Sequence, residues 1–588
     1  MSDINYNLSK ERKSSTRKAL KKMLQFMKDE KRSLYFAFFI MFINAGVTML
    51  APYLIGYTVD HYVITKQYAG LMQYCGILLG LFVIWAATEY FQAKTMGSIG
   101  QRMLYALRNE VFNKLQQLPV SFFNQNKSGD LISRINSDTD NVNQFFSQSL
   151  MRFVDSIFTM AGAMVFLLSI HWQLGAASLI PAFFILVFVL IISPWVKKKN
   201  AISLKATGAL SGEIQESMHN FKTIIAFNRR DYFRERFSKA NKENYTTSVK
   251  AGMANGIFSP VFTFFSNAAQ LIVLAYGIYL ISKGNFTVGL LISFIAYVQG
   301  FYQPLQQLAQ LWAGFQTAMA AWDRISVILN LGNNMTQLPK DTFMQIENSH
   351  TVMEFKDVSF QYPDGKKVLH HISFKMERGK TYALVGPTGG GKSTTASLIA
   401  RLYDPTEGKV LLNGTDIRTY SSEERTKEIG FILQEPFLFT GTLRENILYG
   451  NNDYMNATDD ELKKAIGNAG LSALLMRFEK GLDTELASAG ESVSLGQKQL
   501  IAFIRAVLRK PKILILDEAT ANIDTVTEKL LEDILSKLPQ DTTRIIIAHR
   551  LNTIQNADEI FFVNAGEVIL AGTPDHALEM LLEGKRVS

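Results

Sequence analysis

Six long apolar stretches in the first half of the chain constrain its fold more than any other feature of the sequence. Each stretch reaches or exceeds the about 20 residues that an α-helix needs to cross a bilayer. Buried helices of soluble proteins can mimic one or two such stretches, but six together predict a membrane domain. The sixth stretch is the weakest because Gln299, Gly300, Gln303 and Pro304 interrupt it, and the proline is expected to kink the helix. The predicted spans are 34–57, 71–93, 148–170, 174–196, 257–282 and 287–312.

The distribution of Lys and Arg predicts the orientation of these spans. The short links near 60–68, 170–173 and 282–286 contain few basic residues, whereas the N-terminal segment and the stretches 94–147 and 197–256 contain many. Because basic residues accumulate on the cytoplasmic side, both termini and the two long stretches are expected there. The chain is therefore interpreted as a multi-pass protein of the cytoplasmic membrane, in contact with the lipid bilayer. Its net charge of +9 then serves orientation, and no nucleic-acid partner is expected.

The two long cytoplasmic stretches are too regular for disorder, so we expect membrane helices that continue into the cytoplasm and turn back. Each is predicted to carry a short turn helix at its far end, near 137–141 and near 220–226. In the second turn helix, residues 221–224 would form an apolar projection on an otherwise polar segment. The alternative is that this helix lies at the surface and contacts nothing. Residues 1–32 are interpreted either as an amphipathic helix on the membrane surface or as a solvated basic tail.

A glycine-rich loop in the second half of the chain fits the pattern G-x-x-x-x-G-K-[ST]. An apolar run at 381–385 precedes it and a helix-forming run at 395–400 follows it, so strand, loop and helix occur in the order of a phosphate-binding loop. A glycine-rich turn matched by chance is the alternative. The residues of the loop are Gly386, Pro387, Thr388, Gly389, Gly390, Gly391, Lys392, Ser393 and Thr394.

Each residue type in this loop suits phosphate binding. Glycines let backbone N–H groups close around phosphate oxygens without a Cβ in the way, and the helix N-terminus adds partial positive charge. Lys392 is expected to reach the β- and γ-phosphates, and the Ser393 hydroxyl is expected to bind Mg²⁺.

Two acids follow a predicted buried strand at 512–516. Asp517 is placed to hold Mg²⁺ through water, and Glu518 is placed to polarise the attacking water as a general base. The alternative is an acid pair that caps the next helix.

Three further residues are weak evidence when each is taken alone. Gln434 follows a predicted strand at 429–433 and can reach Mg²⁺ or the attacking water. His549 follows a predicted strand at 544–548 and can donate a hydrogen bond to the γ-phosphate. Tyr362 offers an aromatic face on which adenine could stack.

The order of the motifs resembles that of the ATP-binding cassette (ABC) family, and six spans before the cassette make the chain similar to a half-size ABC exporter. The resemblance covers nearly the full length. It implies a multidomain membrane protein, in which an all-α six-helix transmembrane exporter domain precedes an α/β P-loop nucleotide-binding domain. The motifs that carry the resemblance are Tyr362, the phosphate loop, Gln434, Ser494-Leu495-Gly496-Gln497, Asp517-Glu518, Asp524 and His549.

The resemblance also implies the domain bounds and the role of each residue. Residues 1–32 would form an N-terminal basic segment, 33–330 the transmembrane domain, 331–350 a linker and 351–588 the nucleotide-binding domain. Two chains would sandwich two ATP molecules, each between one chain's phosphate loop and the other chain's signature stretch, and would hydrolyse ATP to drive transport. The implied roles are adenine stacking for Tyr362, the Q-loop for Gln434, the D-loop for Asp524, the switch histidine for His549, the signature for Ser494, Leu495, Gly496 and Gln497, and Mg²⁺ binding for Ser393, Gln434 and Asp517.

The signature departs from the family pattern Leu-Ser-Gly-Gly-Gln, because Leu495 replaces a glycine. The turn must approach the partner's γ-phosphate, which a leucine side chain crowds. Since this chain's own hydrolytic groups are intact, a heterodimer is favoured, with a partner chain that lacks the catalytic Glu. The alternative is an active homodimer that tolerates the leucine. Two other family motifs are altered. The stretch 484–490 lacks the family's Glu-Arg pair, which contacts the two turn helices, and the stretch 521–524 departs from the family's Ser-Ala-Leu-Asp, which serves communication between the two ATP sites.

The expected substrates are amphipathic, drug-like compounds, because the spans are rich in aromatic and flexible residues. Glu89 and Asp155 are candidate substrate contacts, since acids are costly within apolar spans. The alternative pairs Asp155 with Arg152 and places Glu89 near Lys94. Two other functions stay open, a flippase for lipids or lipid-linked precursors and a regulatory ATPase that gates without transport.

Overall fold

The chain folds into two compact units in a computed structural model. The membrane unit comprises residues 9–116 and 129–330, and the cassette unit comprises residues 1–8, 117–128 and 331–588. The structure describes residues 6, 8, 22–23, 25–26, 28–332, 335, 337–339, 350–363, 365–487, 493–517, 525–547, 555–572 and 574–583.

Long helices dominate the first 330 residues, and among the described residues six of them are long and apolar enough to cross a membrane. The predicted six spans are therefore confirmed. The helices are α1 (Lys31–Val63), α2 (Tyr68–Gln116), α3 (Val120–Gln125), α4 (Ser128–Ile170), α5 (Trp172–His219), α6 (Phe221–Ala226), α7 (Arg230–Ser282) and α8 (Val288–Leu329).

Short polar caps separate consecutive spans. The side chain of His171 accepts a hydrogen bond from the backbone N–H of Leu174 at 3.2 Å and starts α5. The Thr287 hydroxyl does the same for the N–H of Leu290 and starts α8. Pro304 lies inside α8, which continues to Leu329, so the interrupted sixth span forms one helix.

The second predicted turn helix is present as α6, but the prediction for the first was wrong. The first turn is α3, which follows Pro119, whereas residues 137–141 lie within α4. Their polarity has another cause, because Arg324 forms ion pairs with Asp130 at 3.0 Å and with Asp138 at 3.1 Å. These pairs let charged side chains sit in a helix without ending it.

Lys22 and Phe26 of the basic N-terminal segment contact α8 and its C-cap, and Met23 beside them is fully buried. The Phe26 ring meets the Trp322 ring edge-on at 6.0 Å, and Lys22 donates a hydrogen bond to Asn330 at 2.9 Å. A fully buried side chain argues against a solvated tail at this point, and the membrane-surface helix stays a prediction.

Three sheets and eight short helices form the rest of the cassette unit among the described residues. Strands β2-β1-β4-β5 form an antiparallel sheet, β12-β11-β3-β10-β9-β6 form a mainly parallel sheet, and β7 pairs with β8. The strands are β1 (Thr351–Gln361), β2 (Lys367–Glu377), β3 (Thr381–Val385), β4 (Glu407–Leu412), β5 (Thr415–Asp416), β6 (Ile429–Ile432), β7 (Gly441–Thr442), β8 (Glu485–Leu486), β9 (Ile513–Asp517), β10 (Thr543–Ile547), β11 (Glu559–Asn564) and β12 (Glu567–Leu570). The helices are α9 (Lys392–Ile399), α10 (Ser422–Glu428), α11 (Leu443–Leu448), α12 (Asp459–Asn468), α13 (Ser472–Leu475), α14 (Leu495–Val507), α15 (Thr525–Ser536) and α16 (Pro574–Glu583).

The parallel strands are apolar throughout because both of their faces are buried. All five residues of β3 are buried, and β9 is buried up to its last residue, Asp517. One hydrophobic core packs between the two large sheets, and a second surrounds α14. The confirmed architecture is thus an all-α membrane unit followed by an α/β unit.

A backbone hydrogen bond joins Leu338, in the predicted linker, to a residue of the cassette that is itself held by an ion pair. Leu338 donates its backbone N–H to the carbonyl of Arg418 at 2.9 Å, and the Arg418 guanidinium binds Asp416 at 2.7 Å. Burial raises the pKa of Asp416, but the hydrogen bonds from Arg418 outweigh it and hold the pKa below its usual value of 3.8.

Candidate nucleotide-binding site

The parallel sheet brings to one edge the strand ends that precede the predicted site residues. In its register Leu384 of β3 pairs with Ile547 of β10, which pairs with Asp517 of β9. Leu516 of β9 pairs with Ile432 of β6. The carboxyl ends of four strands therefore lie side by side, and the segments that follow them are the phosphate loop, residues 548–549, residues 517–518 and Gln434. Ligands of open α/β sheets bind at this edge.

Two glycines of the phosphate loop lie against the neighbouring strand β11. A Cβ on Gly386 would lie 2.0 Å from the Val563 carbonyl oxygen, and a Cβ on Gly390 would lie 2.5 Å from the same atom. Gly386 also has a φ of +145° and Gly391 a φ of +120°, which L side chains rarely adopt. Glycine is required here by close approach and by backbone conformation.

The loop ends at the N-terminus of α9, whose first residue is Lys392. The Lys392 ammonium folds back over the loop and donates to the carbonyl oxygens of Gly386 at 2.7 Å and Pro387 at 3.0 Å. The Ser393 side chain is exposed, while Thr394 is buried. A cationic side chain thus lies over a loop that leads into a helix N-terminus, and both features suit phosphate binding.

Tyr362 lies directly beside the phosphate loop. Its hydroxyl is 3.0 Å from the Thr394 hydroxyl. Its ring meets those of Phe360 and Tyr403 edge-on at 4.9 and 5.4 Å. Sequence reasoning named Tyr362 but missed Tyr403, because an isolated tyrosine after a helix carries no motif.

The remaining hydrolytic residues are only partly described. Gln434 is exposed just beyond β6, and Asp517 ends β9. Glu518, Asp524 and His549 lie outside the described residues. The site accordingly combines a glycine cradle, a lysine and oxygen donors of the kind that Mg²⁺ prefers, so the residues present fit a nucleoside triphosphate with that ion.

The signature stretch begins α14. Ser494 is the N-cap, and its hydroxyl accepts from the N–H of Gln497 at 3.2 Å while the Gln497 side chain accepts from the N–H of Ser494 at 2.9 Å. Leu495 is the first helical residue, is half-buried and has no positive φ. The leucine therefore causes no strain within this chain, and Gly496 follows it in the first turn.

One of the two candidate acids of the membrane unit, Glu89, is hydrogen-bonded to the preceding helix, whereas the predicted pairing of Asp155 with Arg152 stays a prediction. Glu89 accepts a hydrogen bond from Asn44 at 3.0 Å, and the same amide donates to Gln92 at 3.4 Å. Lys94 instead lies over the Tyr90 ring, 6.0 Å from its centroid.

A phosphate loop on a parallel sheet, joined in one chain to six helices of membrane-spanning length, defines the class as a membrane-embedded P-loop nucleotide-binding protein. Residues 34–305 match the ABC transporter transmembrane region, and residues 369–521 match the ABC transporter nucleotide-binding family model, described as "ABC transporter".

Full-length relatives agree with these matches. An uncharacterized ABC transporter ATP-binding protein, YfiC of Bacillus subtilis, is 34% identical over 96% of this chain and 92% of that protein. A fatty acid ABC transporter ATP-binding/permease protein of Mycobacterium tuberculosis is 32% identical over 86% and 79%. A multidrug resistance ABC transporter ATP-binding and permease protein of Lactococcus lactis is 30% identical over 84% and 83%.

A solved structure shares the fold. The structure of a bacterial Atm1-family ABC exporter with ATP bound has a TM-score of 0.79 and 23% identity, covering 94% of this chain and 96% of that one. The chain belongs to the ABC transporter family. It is a half-size ABC exporter, an ATP hydrolase coupled to transport.

Proposed function

We propose that the chain exports amphipathic, drug-like compounds across the cytoplasmic membrane as one subunit of a heterodimer. The observation that carries this proposal is the contrast between two parts of the cassette. The strand-end groups that serve the chain's own ATP follow the family pattern, whereas Leu495 occupies the first turn of α14, which serves the partner's ATP.

Hydrolysis at the chain's own site uses residues from four strand ends. Lys392 and the loop N–H groups hold the β- and γ-phosphates, and Tyr362 stacks on adenine. Ser393, Gln434 and, through water, Asp517 would hold Mg²⁺, which would supply charge neutralisation at the phosphates. Glu518 accepts a proton from the attacking water, and His549 donates a hydrogen bond to the γ-phosphate.

The test of this site is Glu518→Gln, which keeps the size of the side chain but removes the base. ATP should still bind, while steady-state hydrolysis should fall by about 10²-fold or more. Radiolabelled ATP binding and phosphate release, measured on the same preparation, give both quantities. Turnover near the wild-type rate would exclude Glu518 as the base.

The proposal of an unlike partner rests on the side chain of Leu495. A leucine at the first position of α14 crowds the helix N–H groups that must reach the partner's γ-phosphate, and a shift of about 1 Å in such a contact slows a reaction about 10²-fold. A partner with an intact signature and no catalytic Glu would complete one good site.

Substitution of Leu495 tests whether the chain works as a homodimer or needs a different partner chain. If the chain purified alone forms slow symmetric pairs, Leu495→Gly should raise its ATP hydrolysis at least tenfold, whereas Leu495→Ile should leave it slow. Brisk hydrolysis by the unmodified chain alone at two equal sites would contradict the heterodimer.

Exposed apolar surfaces support assembly with a second chain. The cassette carries a groove lined by Phe437, Phe439 and Tyr449, which are 57%, 41% and 57% exposed. The turn helix α6 carries Phe221 and Ile225, which are 52% and 42% exposed. We propose that the α6 helix of one chain binds the cassette groove of the other.

The substrate proposal rests on the polar cluster in the spans. Glu89, Asn44 and Gln92 are joined by hydrogen bonds, and Asp155 is the second candidate acid of the spans. Acids in an apolar surrounding favour cationic amphiphiles. The relative from Lactococcus lactis is named as a multidrug resistance transporter.

A lipid substrate is the second candidate, because the mycobacterial relative is named as a fatty acid transporter. Drug-stimulated and lipid-stimulated ATP hydrolysis in detergent distinguishes the two. Stimulation by cationic drugs that is lost in Glu89→Gln supports the first, and stimulation by lipids alone supports the second.

The proposed membrane orientation follows from the distribution of Lys and Arg along the chain. Both termini lie in the cytoplasm, and the bounds are 1–32 for the N-terminal segment, 33–330 for the membrane domain, 331–350 for the linker and 351–588 for the cassette. Accessibility of single cysteines placed in the short links, labelled from outside intact cells, tests this orientation.

A further inference from the structure

Two residues near the start of the chain belong to the cassette unit and are buried in it. Tyr6 is 1% exposed and Leu8 is 3% exposed. Both lie against the segment 117–128, which contains the turn helix α3 and belongs to the same unit. Side chains this well covered hold a defined position in the fold.

Asn126 binds the backbone of this N-terminal segment at two points. Its Nδ2 donates to the carbonyl oxygen of Tyr6 at 3.0 Å, and its Oδ1 accepts from the N–H of Leu8 at 3.2 Å. The Asn126 amide thus pairs with a carbonyl and an N–H two residues apart, as the backbone of a neighbouring β-strand would. Proteins bind peptides through main-chain hydrogen bonds of this kind. A third hydrogen bond, from Nδ2 to the carbonyl of Phe122 at 2.8 Å, fixes the amide on α3.

The Tyr6 side chain is fixed at both ends. Its ring meets the Phe122 ring edge-on at 6.1 Å, a favourable geometry for aromatic pairs. Its hydroxyl donates to the carbonyl oxygen of Gly332 at 3.3 Å. Phe122 is fully buried, so the N-terminal segment completes an apolar site on α3.

The same turn helix contacts the nucleotide site. The Asn124 amide donates to the Tyr403 hydroxyl at 2.7 Å. The Tyr403 ring meets the ring of Tyr362, whose hydroxyl is 3.0 Å from that of Thr394 in the phosphate loop. Burial raises the pKa of Tyr403, although the hydrogen bond from Asn124 acts in the opposite direction.

We propose that Tyr6 and Leu8 belong to a built-in peptide ligand of the segment 117–128, and that its docking supports ATP binding through Asn124, Tyr403 and Tyr362. The docked segment holds α3 in place, and α3 holds the two tyrosines beside the phosphate loop. The effect on ATP rests on the proposed adenine contact of Tyr362, whereas the docking does not. This links the chain's N-terminus to nucleotide affinity.

Docking is measured with a deletion variant of the full chain that lacks residues 2–8. A fluorescein-labelled peptide of residues 1–12 should bind the detergent-solubilised variant in an anisotropy titration. The matched control peptide carries Tyr6→Ala and Leu8→Ala and should bind at least tenfold more weakly. Asn126→Ala in the deletion variant should weaken binding of the first peptide to a similar extent. Equal binding of the two peptides, or binding unaffected by Asn126→Ala, overturns the docking site.

The link to the nucleotide site is measured as the KM for ATP. The deletion should raise this KM about fivefold, within the usual range of coupling between sites, with a smaller change in kcat. The peptide at millimolar concentration, which matches the effective concentration of a tethered segment, should restore the KM. Tyr6→Phe keeps the ring beside Phe122 and should raise the KM less than the deletion does.

Two outcomes would overturn this link. One is a KM within twofold of wild type despite measured peptide binding, and the other is a raised KM that saturating peptide does not reverse. The proposed adenine role of Tyr362 is tested separately with Tyr362→Ala. If this variant keeps the wild-type ATP affinity, the adenine role is wrong, while the peptide should still bind.

Discussion

Substitution of Gly390 by alanine tests whether the phosphate loop is held against strand β11 as tightly as the structure indicates. The added Cβ would lie 2.5 Å from the carbonyl oxygen of Val563 and 3.1 Å from that of Pro387. Both atoms belong to the backbone, so neither can rotate away. Val563 is fully buried, and its strand pairs with β3 on one side and β12 on the other, so the loop has to move.

The required movement sets the size of the effect. Ordinary carbon contacts begin at 3.4 Å, so the loop must shift by about 0.9 Å. A displacement of about 1 Å in a group that positions the reacting phosphate costs about 10²-fold in rate, or about 2.7 kcal/mol. Gly390→Ala should therefore reduce ATP hydrolysis by about this factor and weaken ATP binding as well.

The assay compares phosphate release and binding of a fluorescent ATP analogue in three proteins. The matched control is Gly467→Ala, because the nearest atom to that added Cβ is a rotatable hydroxyl oxygen, that of Ser472 at 3.3 Å. The control should keep its activity within twofold, and thermal unfolding should show that both variants are folded. A folded Gly390→Ala protein with activity within threefold of wild type would refute the reasoning.

Two further predictions concern stability. In α8, Gly289→Ala places a Cβ 2.0 Å from an α1 carbonyl oxygen, whereas Gly300→Ala in the same helix meets nothing within 4 Å. Thermal unfolding in detergent should therefore show a Tm several degrees lower for Gly289→Ala only. Equal Tm values for the two variants would contradict the close packing of α8 on α1. Asp416→Asn removes a charged partner of Arg418 and should lower the apparent Tm of the cassette by a few degrees at pH 7, since such bonds are worth about 1.5–3 kcal/mol. Because the folded pKa of Asp416 is depressed, this stabilisation is present above the unfolded pKa near 4 and is lost as pH falls through the folded pKa. The Tm difference should therefore stay constant from pH 7 to 5 and shrink below about pH 4, and a difference that shrinks already between pH 7 and 5 would count against the ion pair.

Local sequence signals were sufficient wherever one physical requirement acts on neighbouring residues. Apolar runs must satisfy their backbone hydrogen bonds internally in lipid, so the six spans were readable. The phosphate loop was readable because its glycines, its lysine and the flanking strand and helix are consecutive. The strands before Gln434, Glu518 and His549 were predicted within one or two residues of β6, β9 and β10.

The predictions were less successful wherever a polar residue has its partner far along the chain. Residues 137–141 resembled a turn, but Asp138 pairs with Arg324 across 186 positions of the sequence. For Glu89 the sequence offered a substrate role or a position near Lys94, and neither identified its hydrogen-bond donor, Asn44, which is on the preceding helix. Local composition cannot show such partners, because the distance between them is set only when the helices pack.

The sequence by itself determined the class of protein, a membrane protein with a nucleotide-binding domain, because lipid solvation and phosphate binding each impose a pattern on consecutive residues. The tertiary structure decided which side chains meet: the register that brings four strand ends to one edge, and the contact of Tyr6 and Leu8 with Asn126. Asn126 lies more than a hundred positions from Tyr6 and Leu8 in the sequence, and only chain folding brings their atoms within hydrogen-bond distance.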